Sequence, residues 1–113
     1  PSVEVGQFET GKGIIIFKGA VVSTDAKLKN FITIGFNSVI GHHSIINNYC
    51  FIGSGAVING SVKLSKGVFF GSNATCYPNL LIGEFVTIGI GTAVFNNVKD
   101  GKTVIGVPAK AIF

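Results

Sequence analysis

A six-residue period governs most of this chain and leaves few folds open to it. Ile34, Ile40, Ile46 and Ile52 stand six apart, and the same step runs back through Leu28 and Val22 to Ile16 and forward to Val94 without slipping. Two places before each aliphatic position stands a mostly small residue, as in Ala20, Ala26, Ser38, Ser44, Cys50, Ala56 and Ala74. An amphipathic helix would repeat every ~3.6 residues, and a hairpin would alternate between tight turns. A hexad instead describes a short strand and a corner, the unit of a parallel β-helix. Strand residues two apart face the same side, so the aliphatic and small positions both point inward. Three hexads close a triangular coil of 18 residues, which places residue n on residue n+18. Glycine or asparagine following the aliphatic position suits a corner with unusual backbone angles.

The hexads also separate the outward residues into three columns. One holds Ile15, Thr33, Phe51, Phe69 and Thr87, and the next holds Val21, Val39, Val57, Thr75 and Ala93. The third holds Lys27, Ile45, Lys63, Leu81 and Lys99. Two columns are largely apolar, although nothing inside the coil requires it. With charged residues at 12% and a mean hydropathy of +0.56, the surface is too apolar for a small solitary solenoid, whose coils touch only their neighbours. Two adjoining apolar faces on a triangular prism predict closure about a threefold axis, a homotrimer.

Pro1 to Gly11 does not keep the same phase, although Val3 and Val5 alternate like an entering strand. The expected divisions are a lead-in over 1–11, the β-helix over 12–101, and a C-terminal strand and tail over 102–113. The polar turn Lys99-Asp100-Gly101-Lys102 ends the repeat, and Pro108 stops the strand that follows. No apolar run reaches the ~18 residues of a membrane helix, and no secretory signal pattern is present. The net charge of +4 would suit an anionic partner, but the lysines are scattered without aromatic interleaving, so nucleic acid is not expected. Cys50 and Cys76 fall on inward positions 26 residues apart, not a multiple of 18, and are read as unbridged thiols of a cytoplasmic protein.

The hexad run, the Gly41-His42-His43 step within it and the terminal Gly106-Val107-Pro108-Ala109-Lys110 resemble the left-handed β-helix domain of hexapeptide acyltransferases. They are most similar to the sialic acid O-acetyltransferase and bacillosamine N-acetyltransferase branch, over roughly residues 10 to 113. The resemblance implies an all-β, left-handed parallel β-helix of about five coils. The left hand comes from the resemblance alone, since crossovers between parallel strands are ordinarily right-handed. The related enzymes usually carry an additional Rossmann-like N-terminal domain for the sugar nucleotide, and nothing in this chain resembles one.

His42 and His43 are the two histidines, and both stand at a corner. Imidazole titrates near neutral pH and suits a general base, and His42 matches the family's catalytic histidine. The family often places an acidic residue next to that base, where this chain has His43. Several relatives carry a further histidine nine residues on, where this chain has Phe51. The resemblance implies acetyl-CoA as co-substrate. Its thioester end would lie at Gly60, which stacks on His42 in the column Thr24, His42, Gly60, Pro78 and Asn96. The pantetheine arm would pass Gly89 and Gly91, with Tyr77-Pro78 shaping the same groove and the nucleotide near Lys110. Adjacent histidines at one corner are poorly placed to chelate one ion, and no third ligand recurs at a compatible spacing, so no metal is expected. The expected activity is transfer of acetyl from acetyl-CoA to an amino group or hydroxyl of a sugar or nucleotide sugar. The alternative is a non-catalytic scaffold or trimerisation module.

Overall fold

A computed structural model describes residues 3–5 and 7–113, with side chains from Gln7 onward. The described residues form no helix, and strands of two or three residues stack into three sheets along a prism of 38 × 21 × 20 Å. The first sheet stacks Val3–Val5, Ala20–Val22, Val39–Ile40, Val57–Ile58, Thr75–Cys76 and Ala93–Val94. The second stacks Glu9–Thr10, Lys27–Leu28, Ile45–Ile46, Lys63–Leu64 and Leu81–Ile82. The third runs from Ile15–Ile16 through Thr33–Ile34, Phe51–Ile52, Phe69–Phe70 and Thr87–Ile88 to Thr103–Ile105, with Lys110–Ala111 antiparallel at its end. All other pairings are parallel, and the fold is a left-handed β-helix of about five coils.

The pairings follow the 18-residue step from Glu9 against Lys27 to Thr75 against Ala93. The aliphatic column from Val22 to Val94 is buried, as is the small column from Ala20 to Val86. Lys63 and Leu81 lie outward in the second sheet as expected, but Lys99 does not join them. Ile82 bridges Val98, and Thr87 pairs with Thr103, so the last coil is two residues shorter than the 18-residue coils before it. Val98 takes the position that an 18-residue coil would have given to Asp100. Ala93 is also not an open outward residue. Its N–H donates to Gly106 O at 3.0 Å and its carbonyl accepts from Ala109 N–H at 2.9 Å, which leaves it 9% exposed under the tail.

The corners divide their backbone demands between two positions. Positive φ recurs at every sixth residue from Gly13 to Gly91, and it falls three places after each aliphatic residue rather than directly after it. Nine of these positions are not glycine, His43 among them with φ 61°. Glycine directly after the aliphatic residue serves close stacking instead. A Cβ on Gly41 would stand 2.5 Å from the backbone of Asn59 and Gly60 in the next coil.

Cys50 and Cys76 are free and buried. Burial raises both thiols from 9.0 to about 11. Below pH 9 the folded and unfolded chains both keep these protons, and the full stability is present. Between pH 9 and about 11 the unfolded chain releases them first, so stability falls as pH rises, by about 2 kcal/mol for each thiol. Urea midpoints should therefore drop more steeply above pH 9 in the unmodified chain than in a Cys50→Ala, Cys76→Ala variant. Parallel pH profiles would contradict this.

Candidate active site

Both histidines stand on the edge between the first and second sheets, after Val39–Ile40 and before Ile45–Ile46. Successive coils bind one another here through the backbone. His43 N–H donates to Thr24 O at 3.1 Å, Ser61 N–H to His42 O at 2.8 Å, and Asn79 N–H to Gly60 O at 3.0 Å. The expected stacking of Thr24, His42 and Gly60 is therefore observed. Asp25, His43, Ser61 and Asn79 share the left-handed backbone conformation, which Asp, His and Asn tolerate better than most residues. Sharing that conformation also aims the side chains of consecutive coils in the same direction.

The ring of His42 lies against Gly60. A Cβ there would stand 2.5 Å from His42 Nε2 and 2.7 Å from Cε1, so the missing side chain of Gly60 is what admits the imidazole. His42 Nδ1 lies 3.0 Å from His43 Nδ1, and the two rings meet edge to face. On the far side of His43, Nε2 stands 3.3 Å from Asp25 Oδ2. Both imidazoles are exposed, and beneath them Ser44 is fully buried. Its hydroxyl donates to Asn59 O at 2.9 Å and accepts Val62 N–H at 3.1 Å, which ties this corner to the next coil.

Along the same edge, past Gly60, Pro78 is exposed and Tyr77 packs edge to face on Phe95 with ring centroids 4.7 Å apart. A cleft of about 300 Å³ opens beyond it between Phe95, Asn96, Lys102, Pro108 and Ala109. A wider cavity of about 510 Å³ lies on the other side of His43, lined by Gln7, Glu9, Asp25, Lys27 and Ile45. Within it Lys27 Nζ pairs with Glu9 at 3.8 Å.

The remaining expected residues stand elsewhere. Gly89 and Gly91 follow Thr87–Ile88 and precede Ala93–Val94, which places them on the edge between the third and first sheets. A Cβ on Gly89 would meet Ile105 at 2.7 Å, whereas the space over Gly91 is open. Lys110 is exposed on the terminal antiparallel strand. Within one chain, His42, Gly60 and Pro78 therefore form one group, and Gly89, Gly91 and Lys110 lie apart from it. Among the described residues no group of three or more His, Cys, Asp or Glu side chains converges as a metal site. Asp25 was not singled out from the sequence, although it precedes His43 by 18 residues and so occupies the preceding coil of its column.

Comparison with protein-family models gives no match to this sequence, and comparison with curated proteins gives none either. Solved structures match closely. The acetyltransferase domain of PglB from Neisseria gonorrhoeae, in complex with acetyl coenzyme A, aligns with a TM-score of 0.97 at 26% identity, over 99% of this chain and 55% of that one. PerB from Caulobacter crescentus, in complex with CoA and GDP-perosamine, aligns with a TM-score of 0.98 at 26% identity, over 100% of this chain and 55% of that one. The N-acyltransferase AntD from Bacillus cereus, at 17% identity and a TM-score of 0.93, shares the fold. The structural neighbours of this chain are thus hexapeptide-repeat acyltransferases, the family that its hexads resemble. The chain spans about half the length of PglB and PerB, 55% of each.

Proposed function

We propose that this chain is the β-helix of an acetyl-CoA-dependent acetyltransferase acting on the amino group of a sugar or nucleotide sugar, with His42 as general base. A hydroxyl acceptor would use the same chemistry. The carrying observation is the His42 ring laid over the bare backbone of Gly60, at an open edge with cavities on both sides. PglB with bound acetyl coenzyme A and PerB with bound CoA and GDP-perosamine support this reading of substrate class.

In the reaction the acceptor nitrogen attacks the thioester carbonyl carbon while Nε2 of His42 takes the proton that the nitrogen sheds. The carbon–sulfur bond then breaks, and the departing thiolate receives that proton from the imidazolium. With the Ser61 N–H engaged by His42 O, the backbone N–H of Gly60 is the donor at this corner that would stabilise the oxyanion, and no covalent enzyme intermediate forms. Gly60 and Pro78 flank the thioester end, Gly89 and Gly91 the pantetheine arm, and Lys110 offers its ammonium to a phosphate.

Gly91 and His42 occupy different edges of one prism, so they line a single groove only when adjacent copies supply them. This agrees with a homotrimer closed over the apolar columns, where Ile15 is 54% exposed, Phe51 41% and Phe69 44%. No helix among the described residues is long and apolar enough to cross a membrane. The free thiols support a cytoplasmic setting.

Titration calorimetry with acetyl-CoA, followed by transfer assays on nucleotide-linked amino sugars, tests the reading. Micromolar binding and acetylated product are expected. An assembled protein that neither binds nor consumes acetyl-CoA would instead be a non-catalytic scaffold.

A further inference from the structure

The two histidines and Asp25 form a continuous line of contacts, and its chemistry allows one consistent arrangement of protons. A neutral imidazole carries one N–H and one lone pair. Asp25 Oδ2, 3.3 Å from His43 Nε2, favours a proton on that nitrogen electrostatically. The lone pair of His43 is then on Nδ1, which faces His42 Nδ1 at 3.0 Å. Two nitrogens at that distance need one proton between them, and it must come from His42. With its proton on Nδ1, His42 has its lone pair on Nε2, the nitrogen lying over Gly60.

We propose that Asp25, acting through His43, holds His42 in the Nδ1–H tautomer and so makes Nε2 the basic atom. This rests on the assignment of His42 as base and deepens it: Asp25 and His43 are positioning residues, and only His42 exchanges a proton with the acceptor. When Nε2 is protonated, the resulting imidazolium keeps its Nδ1–H on His43. Other charged groups bordering this corner are Glu9 and Lys27, which pair with each other at 3.8 Å. The arrangement gives His43 the role of linking the carboxylate to the base. It uses the solenoid itself, because a residue one coil earlier in the column, 18 positions back, supplies the carboxylate.

The test is long-range proton–nitrogen NMR on the assembled protein at pH 8, where free imidazole is neutral. With two histidines, a His43→Ala spectrum completes the assignment. An unrestrained imidazole in water favours the Nε2–H form, so a dominant Nδ1–H form of His42 is expected only if the relay operates. Asp25→Gly is the informative variant. The backbone at 25 has φ 60°, and glycine already occupies equivalent corners at Gly19 and Gly55, so the fold should survive. In Asp25→Gly, His42 should shift towards Nε2–H, and kcat should fall about 10-fold with little change in the KM for acetyl-CoA, a smaller effect than in buried triads because the groups are exposed. An Nε2–H His42 in the unmodified protein, or one indifferent to the loss of Asp25, would overturn the proposal. The expected tautomers in a protein without transferase activity would uphold the relay and remove the catalytic reading.

Discussion

His42→Ala is expected to lower acetyl transfer by about 10²- to 10⁴-fold, the usual cost of removing a general base. The imidazole is exposed and packs over Gly60 at the prism edge, outside the buried aliphatic column, so the variant should keep its fold and assembly. The loss should therefore appear in kcat, with acetyl-CoA still bound. His43→Ala should lose less, because it removes the orienting contact at 3.0 Å and leaves the basic nitrogen in place. Initial rates on an amino-sugar acceptor, measured for both variants with matched calorimetric binding of acetyl-CoA, decide the matter. Near-normal turnover by His42→Ala, or a greater loss in His43→Ala, would show that the base is another group.

Phe69→Glu should convert the proposed trimer into monomers. Phe69 stacks on Phe51 with ring centroids 5.1 Å apart and planes 8° from parallel, and the pair stands outward on the third sheet with both rings about two-fifths exposed. In a trimer that buries this face, each copy of the variant would carry an unpaired carboxylate into the interface. Leaving such a charge uncompensated costs about 3–5 kcal/mol per site, a weakening of some 10²- to 10³-fold or more at each contact. Within the single chain, position 69 faces solvent while the inward neighbour Phe70 is fully buried, so the coil itself should tolerate glutamate. Sedimentation should find trimers for the unmodified chain and folded monomers for the variant. A monomeric unmodified chain, or a trimer indifferent to Phe69→Glu, would place the interface elsewhere or remove it. If one groove is shared between copies, monomers should also lose acetyl-CoA binding.

A solenoid is unusually legible because its contacts repeat at a fixed separation. From the hexads alone, each buried aliphatic residue from Val22 to Val94 could be named, as could pairings such as Val39 with Val57. The stacking of Gly60 on His42 followed from the same arithmetic, and Asp25 beneath His43 could have been found in that way. Composition also showed that the coil leaves apolar surface outside.

The tertiary structure decided what the period does not encode. The last coil closes two residues early, so that Val98 rather than Asp100 meets Ile82, because backbone closure and the returning tail determine the length of a corner. The positive φ falls at His43 rather than at Gly41, because the left-handed residue is where the chain turns, whereas Gly41 is where one coil presses on the next. The contacts from Asp25 through His43 to His42 depend on side-chain torsions, for which a six-residue spacing carries no information. The sequence therefore determined which residues are neighbours along each column, since stacking is a one-dimensional constraint. Which atoms of those neighbours meet was left to the packing of exposed side chains in three dimensions.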